Sequence, residues 1–242
     1  FYKAAKAAGI RPILGCEVYV APGSRFDRET SHGDDRYYHL VLLAQNNRGY
    51  ANLVKIVSKG FVDGYYYKPR VDMEVLQDHE GLIALSACLA GEVQRYLTRG
   101  LYEEAKKTAL KYQDCFGEGN FFLELQDHGI ELQQTVNQQL LRLSKDTGIE
   151  LAATNDVHYT YKEDAEPHDI LLCLQTGKKL SDENRMRYEG GQYYVKSEDE
   201  MKALFPYALE AVSNTQKIAD RCNVEIEFGN TKLPNFPVPE GF

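Results

Sequence analysis

The sequence predicts an α/β fold in which strands and helices alternate, a parallel sheet, open or closed as a barrel, carrying its helices on the outside. Three observations predict it. Short apolar runs recur at residues 37–44, 82–86, 121–125 and 149–153. Segments between them place apolar residues at helical spacing, Leu53, Ile56 and Val57 in one, Leu132, Val136, Leu140 and Leu143 in another. With 242 residues, 43% of them hydrophobic, the chain also has the apolar material for one large domain or two small ones.

Taken in order, Phe1-Tyr2-Lys3-Ala4-Ala5-Lys6-Ala7-Ala8-Gly9 has helical composition with Gly9 as its stop, but neither an initiator Met nor an N-cap residue. The chain is therefore expected to start inside a helix, as a piece of a longer protein. Residues 12–20 are β-like, and the polar stretch 23–36 reads as an exposed loop. Residues 37–44 give a second strand, and Asn46-Asn47-Arg48-Gly49 caps a helix that ends near Gly60. Tyr65-Tyr66-Tyr67-Lys68-Pro69-Arg70 breaks the pattern. A short helix at 73–76 leads to the strand at 82–86, followed by helices near 91–97 and 101–115, the strand 121–125, the Leu132 helix and the strand 149–153. Beyond Glu163 the chain turns helical, at 165–174, 197–204 and 207–221. Leu233-Pro234-Asn235-Phe236-Pro237-Val238-Pro239 is extended by its prolines and reads as a linker.

A net charge of -8 argues against a broad basic surface wrapping duplex DNA, so any nucleic-acid contact must be local. No apolar stretch approaches the length of a membrane span and no leader pattern is present, so no membrane role and a cytoplasmic location are expected. The five cysteines are scattered without a C-x-x-C pair, which indicates neither a disulfide framework nor a zinc ribbon. Cys16, Cys115, Cys173 and Cys222 are expected to pack as small apolar groups. Nucleotide-fold and serine-hydrolase signatures are missing from the sequence.

Loops leaving parallel strands gather at one end, where such folds build active sites. Thr154-Asn155-Asp156-Val157-His158 leaves the strand 149–153 and can aim a carboxylate and an imidazole at one metal ion. Glu17, His39 and Cys88 also lie beside apolar runs, although His39 sits near the start of its strand and fits such an end less well. Together these donors form a mixed oxygen, nitrogen and sulfur set that suits zinc and partly manganese or iron, and clustered ions of that kind favour phosphoester hydrolysis. Each residue also has a plainer reading. Asp156 and His158 fit a hydrogen-bonded turn, Glu17 a carboxylate paired with Arg11 or a lysine, His39 a core histidine and Cys88 a small buried residue. His128 follows a strand and is a second-rank ligand or substrate contact, whereas His32, His79 and His168 read as surface residues. Tyr65, Tyr66, Lys68 and Arg70 could stack on bases and bind phosphate, or pack as a loop that closes the barrel.

These segments together resemble the PHP (polymerase and histidinol phosphatase) domain at the N-terminus of bacterial DNA polymerase III alpha subunits. The likeness is carried by Gly15-Cys16-Glu17-Val18-Tyr19-Val20, Tyr38-His39-Leu40-Val41-Leu42-Leu43-Ala44, Asn46-Asn47-Arg48-Gly49-Tyr50-Ala51-Asn52-Leu53, Leu85-Ser86-Ala87-Cys88-Leu89-Ala90-Gly91-Glu92, Ala153-Thr154-Asn155-Asp156-Val157-His158-Tyr159 and Tyr193-Tyr194-Val195-Lys196-Ser197. The resemblance implies an incomplete (β/α)7-like barrel over residues 1–230, with metal-site loops at its strand ends and the Pro-rich start of a linker to the polymerase body at 231–242. It implies zinc or manganese at Glu17, His39, Cys88, Asp156 and His158, with a first H-x-H motif and the Asp and His after it upstream of Phe1. For the parent protein it implies DNA synthesis with magnesium, a PHP domain that is either a metal-dependent phosphoesterase or 3'-5' exonuclease or a structural support of the polymerase, and DNA, the sliding clamp, other replisome subunits and a proofreading exonuclease subunit as partners. On that basis this piece alone is expected neither to polymerise DNA nor to hydrolyse it efficiently; full metal occupancy with nuclease activity would contradict the expectation. A metal-free docking domain for a separate exonuclease and a stand-alone PHP phosphatase are the competing expectations.

Overall fold

The computed structural model describes the chain apart from residues 29–35, 78–79, 232, 234–236 and 239–242. The elements run α1 (Tyr2–Ala7), β1 (Gly15–Val20), β2 (Tyr38–Ala44), α2 (Asn47–Val62), β3 (Arg70–Val71), α3 (Met73–Leu76), β4 (Leu82–Leu85), α4 (Glu92–Thr98), α5 (Tyr102–Phe116), β5 (Phe121–Leu125), α6 (Glu131–Thr147), β6 (Leu151–Ala153), α7 (Ala165–Thr176), α8 (Glu198–Leu204) and α9 (Leu209–Arg221). Helix starts follow their side chains. Asn46 accepts from the Gly49 N–H at the head of α2, Asp72 accepts from the Val75 N–H at α3, and Ser197 with Glu200 forms a capping box at α8. Gly148, at φ 74°, stops α6 in the left-handed conformation that favours glycine.

Six strands form one sheet in the order β3-β1-β2-β4-β5-β6. The parallel expectation holds for β1 with β3, β4 with β5 and β5 with β6, but β2 is antiparallel to both of its neighbours. That reversal corrects the sequence reading and moves His39. The start of β2 lies at the end of the sheet where β1 finishes, with Tyr19 opposite His39 in register. Edge strands β3 and β6 do not pair with each other among the described residues, so the sheet is open, as an incomplete barrel is.

Alternation divides the strands into two faces. Val18, Val20, Leu40, Leu42, Ala84, Leu123 and Leu125 join Leu53 and Ile56 of α2, Val93 and Leu97 of α4, and Val136 and Leu140 of α6 in the main core. The opposite, inner face carries Ile83, Leu85, Phe122 and Ala152, which pack with Ile218 of α9 and Cys222 beyond it. Glu17, Tyr19 and His39 share the inner face; Tyr19 and His39 are half-buried and Glu17 is exposed. Close backbone contact ties the helical layer to the sheet: a Cβ at Gly49 would lie 1.8 Å from the Gly81 carbonyl oxygen. No helix among the described residues is long and apolar enough to cross a membrane.

Candidate metal centre

Three of the five expected donors meet on the inner face. The His39 Nδ1 lies 3.1 Å from Glu17 Oε1 and 3.7 Å from the Cys88 Sγ. Strand register brings Glu17 to His39, since Glu17 and Tyr19 project on the same side as Val41 and His39 opposite them. Cys88 arrives through its own turn. Ala87 takes φ 63°, and the His39 N–H donates to the Ala90 carbonyl at 3.0 Å, which holds the Cys88 turn against the start of β2. Gly91 lets that turn close, because a Cβ there would sit 2.0 Å from the Ser86 carbonyl oxygen. Burial opposes a charge on His39, yet hydrogen bonding with Cys88 and Glu17 outweighs it and holds the imidazole up to about 9. Arg11 is not the partner of Glu17; it pairs with Asp220 at 3.1 Å.

Asp156 and His158 form the second half. Asp156 takes φ 43°, another left-handed conformation that non-glycine residues adopt at a cost of about 1–2 kcal/mol. His158 Nδ1 lies 2.6 Å from the Asp156 backbone carbonyl, and an Nδ1–H donating there leaves Nε2 as the nitrogen able to ligate. The loop is clamped from below. Asn155 Nδ2 donates to the carbonyls of Gln192 and Tyr194, at 2.9 and 2.7 Å, and the His158 N–H donates to the Tyr193 carbonyl. His128 belongs to that clamp. Its Nε2 meets the Asn155 carbonyl at 3.0 Å and its Nδ1 meets Gln133 Nε2 at 2.9 Å, so neither nitrogen faces outward. Burial accordingly lowers its pKa.

A cover of aromatic rings, which sequence reasoning missed, lies over this half. Tyr188 and Tyr193 approach the His158 ring at 4.2 and 5.7 Å, and Tyr193 stacks on His128 at 3.8 Å. Burial, then the neighbouring Asp156, pushes the Tyr193 hydroxyl up to about 12. Tyr188 is raised by burial and then by Asp156, Cys88 and Glu17, carboxylates and a thiol drawn from both halves. His168 is half-buried against His158 and Tyr188, at 5.9 and 5.2 Å, and so is not the free surface residue expected. An irregular loop delivers Tyr188, and no periodicity marks such residues. His32 and His79 fall outside the described residues.

The tyrosine segment splits. Tyr65 and Lys68 are exposed and Tyr66 is half-buried, with Lys68 Nζ 5.7 Å from the Tyr19 ring. Arg70, by contrast, is 3% exposed and donates to the carbonyls of Gly64, Arg25 and Asp27. Its guanidinium is spent on closing the loop.

The donor chemistry fits a zinc or manganese ion: carboxylate, imidazole and thiol where β1, β2 and the β4 exit meet, and a second carboxylate and imidazole on the exit from β6, with β5 between. Among the described residues no three His, Cys, Asp or Glu side chains are so placed that they could hold a metal ion together. This open mixed α/β sheet with its outer helices is a PHP-type domain, and the chain belongs to the PHP domain family, which matches residues 1–128. It is similar to the DNA polymerase III subunit alpha of Treponema pallidum (strain Nichols), 48% identical over 243 residues that cover 100% of this chain and 21% of the relative. The proteins of the same name from Borreliella burgdorferi and Thermus aquaticus are 43% and 42% identical across 100% of this chain, which covers 21% and 20% of their length. The chain thus spans about a fifth of the curated relatives it matches.

Proposed function

We propose that the chain is the PHP region of the alpha subunit of a bacterial replicative DNA polymerase, and that Glu17, His39, Cys88, Asp156 and His158 hold zinc or manganese there. One observation supports the metal assignment: a half-buried imidazole nitrogen flanked by a carboxylate at 3.1 Å and a thiol at 3.7 Å. Such an ion supplies Lewis acidity toward a phosphodiester. The chain's own residues orient it: Glu17 and Cys88 bracket His39, the Asp156 carbonyl sets the ring of His158, and Tyr188 and Tyr193 limit water from one side. The parent protein would act in the cytoplasm on DNA with magnesium for polymerisation, alongside the sliding clamp and other replisome subunits. Its PHP activity would be that of a phosphoesterase or 3'-5' exonuclease. Elemental analysis after incubation with zinc or manganese and removal of excess ion tests the metal assignment. Retention by the chain and its loss in His39→Asn are expected; equal retention in both sinks it.

A second reading, a docking domain for a separate proofreading exonuclease, is favoured by the apolar side of α7, where Leu171 and Leu174 are 60% and 74% exposed. Binding of such an exonuclease that survives metal removal but not Leu174→Asp is its expected signature. Binding that disappears with the metal would contradict it.

A further inference from the structure

One buried acid beneath the centre has no part in the reading above. Glu124, on β5, projects to the inner face with Phe122 and is 5% exposed. Its Oε1 accepts from Thr154 Oγ1 at 2.5 Å and from Gln126 Nε2 at 3.1 Å, while its Oε2 is buried with no hydrogen-bond partner. A carboxyl in that position is unusual, since buried polar atoms are nearly always paired. Burial raises its pKa, opposed by the hydrogen bonds of Thr154 and Gln126 and by the Ala87 backbone.

Those partners lie on the two chain segments that must be held in register. Thr154 is the residue from which the Asn155-Asp156-Val157-His158 exit departs, and Ala87 is the left-handed residue next to Cys88. The backbone of Glu124 makes the same connection. Its N–H donates to Ser86 Oγ at 2.8 Å, and Gln94 of α4 donates to that oxygen at 2.7 Å and to the Ala87 carbonyl at 2.9 Å. One residue therefore touches both exits, from a β5 position between β4 and β6 in the sheet.

We propose that Glu124 is the positioning residue of the centre, tying the Cys88 turn to the Asp156 and His158 exit and so setting the distance between the two halves of the ligand set. The inference rests on the metal reading for its purpose, but the tie itself does not. The hydrogen bonds from Thr154 and Gln126 need an acceptor oxygen, not a negative charge, so a carboxamide in its place keeps those two.

Amide hydrogen exchange on the metal-free chain tests the tie, and zinc titration on the same proteins tests its use. In Glu124→Ala, exchange at 86–89 and at 155–158 is expected to rise together at least about tenfold while α2 is unchanged, and zinc affinity to fall about 10–100-fold. Glu124→Gln should restore both. If Glu124→Ala does not fold, Thr154→Val decides, with faster exchange at 155–158 expected. Unchanged exchange at the two segments, or a Glu124→Gln as disrupted as Glu124→Ala, overturns the proposal. A wild-type chain that takes up no zinc contradicts the metal reading alone, and the exchange result still decides the role of Glu124.

Discussion

The two faces of β1 and β2 are built from alternate residues of the same strands, yet they do opposite work. Val18, Val20, Leu40 and Leu42 point outward into a dry core under the helices, whereas Glu17, Tyr19 and His39 point inward, the two rings half-buried and the carboxylate exposed. Because side chains alternate with period two, one strand can spend half its residues on stability and the other half on chemistry. Substitutions on the two faces should therefore separate stability from ligand binding.

The largest expected effect is on the outer face. Leu42→Ala, at a position 0% exposed, should cost about 2–5 kcal/mol in denaturant unfolding. A cost near zero would mean that the outer face is not the core. Next comes the edge strand, where two neighbouring cations should part company. Arg70→Ala removes donors from buried carbonyls and should destabilise by about 1–3 kcal/mol, while Lys68→Ala should stay within about 0.5 kcal/mol. Similar costs for the two would erase the distinction between a loop-closing arginine and an exposed lysine. On the inner face, Glu17→Gln should move unfolding by less than about 1 kcal/mol but weaken zinc binding at least tenfold in calorimetry. The smallest effect belongs to Tyr19→Phe, expected within about 0.5 kcal/mol and without influence on metal uptake.

Much of this division was legible in the sequence, and the parts that were not have physical reasons. Apolar periodicity located nearly every helix and strand, because burial on one face is what the pattern records. It could not show that β2 is reversed, since alternation reads the same in both directions and a polar stretch such as 23–36 in the sequence suits a hairpin or a crossover. That is why His39 looked misplaced at a strand start. β3, two residues long, is too short to carry any period. Within the candidate site, Glu17, His39, Cys88, Asp156 and His158 stood out by residue type beside strand ends, and the fold brings the first three into contact. Residue type could not say that Arg70 and His128 turn their hydrogen bonds onto the protein itself. Glu124 was invisible for the converse reason. A polar residue alternating with leucines reads as solvent-facing, but here the sheet turns that face inward.

The central claim is that the inner face holds a metal through the Cys88 thiolate beside His39. Cobalt(II) added to the chain reports it directly, because a thiolate on cobalt gives a sulfur-to-metal charge-transfer absorption that oxygen and nitrogen ligands do not. Wild-type chain should develop that band on titration, and Cys88→Ser should lose it while remaining folded. A band of equal strength in Cys88→Ser, or none in the wild-type chain, would contradict the account.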